Sequence, residues 1–175
     1  TRPDCLGDEV ISLLSELNER KPIWIELGLQ TIHPQTAVYI RRGYKLEVFE
    51  NAVRNLRREG IEVIVHTILG LPKESHDDIL ATMEYLNRQD IQGIKLQLLH
   101  VLKGTDLAFD YENHIFQTYE RDEYIDLLID CLEHLRPDLV IHRITGDGPK
   151  DLLIAPLWAS RKREVLNLLH HEMSR

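Results

Sequence analysis

Apolar positions along the chain switch between a helical spacing and a strand spacing. From Asp8 to Leu17, Val10, Ile11, Leu13, Leu14 and Leu17 form one helical stripe, which Lys21-Pro22 stops. Ile23-Trp24-Ile25-Glu26-Leu27 is short and β-branched and reads as a strand running into Gly28. A short helix is expected over Thr36–Arg42, closed by Gly43. A longer one is expected over Leu46–Glu59, with Phe49, Val53 and Leu56 on one face and Gly60 as its C-cap. Ile61–Leu69 is the clearest strand and ends at Gly70-Leu71-Pro72. Ser75 followed by Asp78 has capping-box spacing and opens a helix over His76–Asn87. A strand over Ile94–Val101 broken at Gly104, a helix over Tyr119–Leu135, a strand over Leu139–Ile144 and a helix over Arg161–Glu172 complete the series.

The resulting order is αβααβαβαβα. Strands separated by helices imply an α/β fold with a parallel sheet and right-handed crossovers. A doubly wound sheet and a partial (βα) barrel both satisfy it, since four strands do not close a barrel that usually needs about eight. Neither a sequence repeat nor a Pro/Gly/Ser-rich linker divides the chain, so residues 1–175 read as a single domain.

Composition narrows the function classes. The 175 residues are 43% apolar and 29% charged, which excludes a disordered chain. A net charge of −8 argues against broad contact with a phosphate backbone. Positions 36–60 differ: Arg41, Arg42, Lys45, Arg54, Arg57 and Arg58 leave this stretch at +3 and the remainder at −11. Such a face suits RNA or a solvated helix. No run of 18 apolar residues is present, so no membrane helix is expected. The first residues show no secretory pattern and no Met, so an excised piece of a longer protein is expected. Cys5 and Cys131 are too distant in sequence for a CxxC site or a disulfide framework, and a reduced cytoplasmic setting is expected.

Ligands of parallel βα folds bind at the carboxyl ends of the strands. There the sequence places Glu26, Gly28 and Gln30, then His66, Ile68 and Gly70, then Gln97, Leu99 and His100, then His142 and Arg143. Buried parallel strands normally read as Val/Ile/Leu runs, so these carboxylate, amide and imidazole groups are informative. Glu26, His66, His100 and His142 would serve a metal-dependent βα-barrel hydrolase, and a non-catalytic nucleotide- or RNA-binding module is a further reading. Arg41 and Arg42 also suit a helix end beside Gly43, Ile68 suits core packing, Cys131 sits on an apolar helix stripe, and Asp147 suits a turn.

Several motifs in order resemble the later half of a radical S-adenosylmethionine (SAM) enzyme. They are Thr1-Arg2-Pro3-Asp4, Ile25-Glu26-Leu27-Gly28-Leu29-Gln30-Thr31, Arg41-Arg42-Gly43 and Ile68-Leu69-Gly70-Leu71-Pro72-Lys73-Glu74. The branch is that of the Elongator catalytic subunit and the oxygen-independent coproporphyrinogen oxidase. Lys95–Thr105 and His142–Pro149 resemble the YhcC/YtqA-type radical SAM proteins within it. The resemblance implies strands four to six of a six-stranded partial barrel over about residues 1–106, with a C-terminal extension over about 107–175. It implies SAM and a [4Fe–4S] cluster as cofactors. The CxxxCxxC loop that holds such a cluster is absent from these residues, so its ligands would lie upstream of Thr1. It implies that Gln30 meets the SAM ribose, Arg42 the SAM carboxylate, Ile68 the adenine face and Leu99 the adenine edge through its backbone. Gly70 would let the chain pass close to the nucleoside, and Glu26 would line the cavity. His66 stands where relatives usually carry Gly or Asp. The activity implied is reductive SAM cleavage followed by hydrogen abstraction, with a tRNA wobble uridine as substrate.

Overall fold

The computed structural model describes residues 1–146 and 148–174. A 3-10 turn over Pro3–Cys5 leads into α1 (Asp8–Arg20), which ends where Lys21-Pro22 turns the chain into β1 (Trp24–Gln30). Pro34 starts α2 (Pro34–Tyr39), earlier than the sequence pattern suggested, because its fixed φ suits the first helical turn. The loop after it uses left-handed backbone at Arg41 (φ 54°) and Gly43 (φ 86°). Then follow α3 (Leu46–Arg58), β2 (Glu62–Leu69), α4 (His76–Asn87) and β3 (Gly93–Leu98). Ser75 and Asp78 form the reciprocal capping box that their spacing announced.

Beyond β3 the structure departs from the expected single strand over Ile94–Val101. The Leu99 N–H bonds the Leu69 carbonyl as the last rung of the parallel ladder, and beyond it the chain leaves the sheet. Val101 and Leu102 become β4 (Val101–Leu102), which pairs antiparallel with β6 (Leu153–Ala155). Between them lie α5 (Asp106–Glu112), which the hydrophobic pattern did not reveal, α6 (Arg121–His134) and β5 (Val140–Arg143). The chain closes with α7 (Lys162–Glu172).

The main sheet is parallel and runs β1-β2-β3-β5, in chain order without reversal. A doubly wound sheet reverses its order at a switch point, so this order decides for the barrel segment. The sheet is curled. The Trp24 and His142 rings lie 6.3 Å apart although they stand on its first and last strands. Gly93 permits this, since a Cβ there would stand 2.7 Å from His142 Cδ2 and 2.9 Å from Ile64 Cδ1.

Alternation along the strands sets the two faces. Leu27, Leu29, Val63, Val65, Ile94 and Leu96 are buried on the convex face, against Phe49, Val53, Leu56, Met83, Leu86 and Leu128 of the helices. His66 and Ile68, half-buried, face the concave side, while Val65 and Thr67 face the helices. Both edges can extend the sheet. On the β1 edge, the Thr1 ammonium donates to the Glu26 carbonyl and the Gly28 N–H donates to the Thr1 carbonyl at 3.0 Å, the pattern of a parallel ladder. On the other edge, Val140 is 57% exposed, so β5 is not the buried strand its sequence suggested. A smaller core of Val101, Ala108 and Ala155 with Leu107, Tyr111 and Phe116 holds α5 beside the sheet's carboxyl ends.

Candidate functional site

A cleft of about 800 Å³ opens at the carboxyl ends of β1, β2 and β3. Its floor carries Gln30, Ile68, Leu71 and Leu99. The segment from Tyr39 to Tyr44 makes one wall, α5 makes the opposite wall, and Arg2 stands at the rim. Gln30, Arg42, Ile68 and Leu99, far apart in sequence, therefore share one cavity.

Gln30 is placed by strain and by space. Its φ is 63°, which an L-residue other than Gly rarely adopts. The β1–β2 register slips between Gly28 and Gln30 at the same point. The Tyr44 hydroxyl is set between the Gly28 carbonyl at 2.6 Å and Gln30 Oε1 at 3.1 Å.

Arg42 is 7% exposed. Its Nε donates to the Tyr44 carbonyl at 3.1 Å, and its Nη1 to the carbonyls of Leu29 at 3.2 Å and Thr31 at 2.6 Å. Burial pulls its pKa down and no carboxylate opposes that. Its guanidinium lies 4.8 Å from the Tyr44 ring centroid, within cation–π range. Nη1 is thus committed to the end of β1 and Nε to the Tyr44 carbonyl, so a two-pronged grip on a ligand is not open to it.

Leu99 uses its own N–H on the Leu69 carbonyl, which leaves its carbonyl as the backbone group for a ligand. Gly70 (φ 82°) stands behind the floor, where a Cβ would meet Tyr119 Cδ2 at 3.0 Å. The Thr31 hydroxyl donates to Glu74 at 2.5 Å, and burial raises the Glu74 pKa. This bond ties the end of β1 to the Gly70–Glu74 turn.

Glu26 and His66 form a separate cluster lower on the concave face. Lys95 donates to Glu26 Oε1 at 2.5 Å and His66 Nε2 donates to Oε2 at 2.9 Å. Gln97 Nε2 lies 3.3 Å from His66 Nδ1. The Lys95 hydrogen bond, helped by His66, holds the Glu26 pKa down at about 2 against the opposing effect of burial. Burial first, and the Lys95 charge, push the His66 pKa down; in the neutral ring the proton belongs on Nε2, facing the Glu26 carboxylate. His100 lies apart, its ring packed against Gly146 and Gly148, and His142 lies over Gly93. Among the described residues no three His, Cys, Asp or Glu side chains come together as a metal site, so the four ligands of the hydrolase reading do not converge. Asp147 lies outside the described residues.

Tyr39, Tyr44, Lys95 and the α5 wall belong to the site although no site motif in the sequence marks them. The signal for α5 was present: Thr105 caps the helix by accepting from the Ala108 N–H at 3.1 Å, and Asp106 occupies the first turn.

Two family profiles match the chain, "Radical SAM superfamily" over residues 1–86 and "Radical_SAM C-terminal domain" over residues 91–175. The chain belongs to the radical SAM superfamily. Its relatives include YtqA of Bacillus subtilis, 45% identical over 99% of this chain and 54% of YtqA. The radical SAM chain in hand thus spans about half the length of the curated relatives it matches. The tRNA uridine(34) acetyltransferase of Methanocaldococcus jannaschii is 26% identical over 95% of this chain and 31% of its own. Among solved structures, the Elp3 of Methanocaldococcus infernus superposes with a TM-score of 0.81 at 20% identity, covering 100% of this chain and 41% of that one. That likeness carries the fold, a segment of the radical SAM partial barrel. Among the described residues no helix is long and apolar enough to cross a membrane.

Proposed function

We propose that this chain is the later half of a radical SAM core and that the strand-end cleft is its SAM site. The observation that carries the reading is the convergence of Gln30, Arg42, Ile68 and Leu99 in one cavity. The cavity fits the molecule: its volume lies in the range of small-molecule sites, about 300–1,000 Å³. It combines an apolar floor, an oriented amide and a buried cation without a carboxylate.

In this reading the Gln30 amide, fixed by Tyr44, receives the ribose hydroxyls. Arg42 offers its remaining nitrogen and its charge to the carboxylate of SAM, while Arg2 at the rim is already paired with Asp4. Ile68 packs on the adenine and the Leu99 carbonyl takes an N–H at its edge. Glu26, His66 and Lys95 order the concave wall below. Residues 1–106 form the core and 107–175 an extension that closes one side of the cleft. The chain's work is to bind, orient and exclude water, while radical chemistry comes from SAM and a [4Fe–4S] cluster when both are bound.

The residues present do not fit the cluster. The two cysteines are an exposed Cys5 and a buried Cys131, and a [4Fe–4S] cluster takes several thiolates. We assign its ligands to the part of the longer protein that precedes Thr1. The substrate proposed is a tRNA wobble uridine, a reading supported by the acetyltransferase relative. Anaerobic iron–sulfide reconstitution tests the assignment. Residues 1–175 should retain no stoichiometric iron and sulfide, whereas the protein with its upstream half should retain both and bind SAM. Stable cluster on residues 1–175 would contradict it.

A further inference from the structure

We propose that the α5 side of the cleft is a second subsite, which takes one unstacked base of an RNA substrate against the ring of Phe109. The proposal rests on the reading of the strand-end side as the SAM site.

Phe109 lines the cleft and is 66% exposed. The other apolar residues of α5 are consumed by the small core, Ala108 buried within it and Leu107 and Tyr111 packed against it. Phe109 is therefore not required to hold the helix in place, and its ring is left to the cavity.

Two polar contacts join α5 to the Tyr39–Tyr44 segment, one of them between exposed side chains. The Tyr39 hydroxyl donates to Asp110, and Arg41 pairs with Asp106 at 2.5 Å, so the two walls touch at these points. Lys73 lies 5.0 Å from the Tyr39 ring centroid. Asp106 and Asp110 of α5 thus each have a partner on the Tyr39–Tyr44 segment, and each keeps lone pairs for an N–H.

A flat apolar face bordered by oriented acceptors and donors is what a nucleobase needs: stacking on the ring and hydrogen bonds at the edge. A phosphate does not suit this side, because Asp106 and Asp110 would face it. Ile68, Leu99 and Phe109 line the same cleft of about 800 Å³, so a base on α5 would share one cavity with a nucleoside seated on Ile68 and Leu99.

The test uses the longer, cluster-loaded protein. SAM is titrated first, and uridine, cytidine, adenosine and guanosine are then titrated with and without saturating SAM, by equilibrium dialysis. At least one ribonucleoside should bind beside SAM. Phe109→Ala should weaken that binding about tenfold or more, the loss expected for an aromatic stacking partner. Phe109→Tyr should stay within about twofold, since the π face is kept. SAM affinity should be the same in all three proteins.

Ribonucleosides that fail to bind, or that bind Phe109→Ala as tightly as wild type, overturn the proposal. A loss of SAM affinity in Phe109→Ala with nucleoside binding intact also overturns it, by assigning the ring to the SAM side. If wild type fails to bind SAM but binds a ribonucleoside in a Phe109-dependent way, the subsite stands and the SAM reading falls.

Discussion

A Cβ on Gly28 would stand 2.8 Å from Gln30 Nε2 and 3.5 Å from the Tyr44 hydroxyl, so the Gln30 amide occupies the space that any larger residue at 28 would fill. Gly28→Ala should push that amide off Tyr44. The displaced group is the flexible end of a side chain, so stability should fall by only about 1 kcal/mol. SAM affinity should fall about tenfold, the share of one well-placed hydrogen bond to the ribose. Urea midpoints and SAM titration on the same preparations separate the two effects. Equal affinity in wild type and variant would remove Gln30 from the site.

Arg42 holds the end of β1 as well as facing the cleft. Arg42→Ala strips three carbonyls of a charged donor and should cost about 2–4 kcal/mol of stability. Arg42→Lys should recover only part of this, because an ammonium does not reproduce the planar spread of donors. Chemical denaturation of residues 1–175 checks it. A loss under about 0.5 kcal/mol in the Ala variant, the size of an ordinary surface substitution, would mean that the carbonyls do not depend on Arg42.

The Glu26–His66–Lys95 cluster gives stability a defined pH dependence. Both Glu26 and His66 have folded pKa values below their unfolded ones. Each therefore stabilises the fold above its unfolded pKa and loses that contribution as pH falls through its folded value. Acidification should weaken the chain first below about pH 6.5, through His66, and again from about 4.5 towards 2, through Glu26. Lys95→Met removes the main cause of the Glu26 shift, so it should flatten the second decline. Urea midpoints from pH 7 to pH 3 give the answer. Parallel curves for wild type and Lys95→Met would contradict the assignment.

The two cysteines should differ in reactivity. Cys131 is buried, and burial pushes its thiol up to about 12, whereas Cys5 is exposed. Native residues 1–175 should consume one equivalent of a disulfide thiol reagent at pH 8, and two after unfolding in guanidinium. Two rapid equivalents in the native state would place Cys131 outside the core.

The sequence carried the fold further than the site. The run Ile61–Leu69 and the Ser75–Asp78 box announce β2 and α4 because strand alternation and capping are local. β4 and β6 were illegible because two and three residues are too few for a period, and their pairing joins Val101 to Ala155 across a long stretch of chain. In the site, Gln30 and Ile68 could be read from position at a strand end. Tyr44 could not, since its hydroxyl reaches the Gly28 carbonyl through a left-handed turn that only the folded chain shows. Lys95 was hidden in a strand, where its ion pair with Glu26 depends on two strands separated by β2 curling toward each other.

In the proposed site SAM lies against Ile68 at the carboxyl end of β2. The direct measurement is SAM titration, with paired thermal melts, of wild type and Ile68→Ala in the protein that includes its upstream half. Ile68 is half-buried and faces the cleft, so the melt without SAM should fall by less than the roughly 2–5 kcal/mol of a fully buried Ile→Ala change. SAM affinity should fall on the order of fivefold, from about 1 kcal/mol of lost apolar contact. A large loss of stability without SAM, together with an unchanged SAM affinity, would make Ile68 a core residue and contradict the placement of SAM in this cleft.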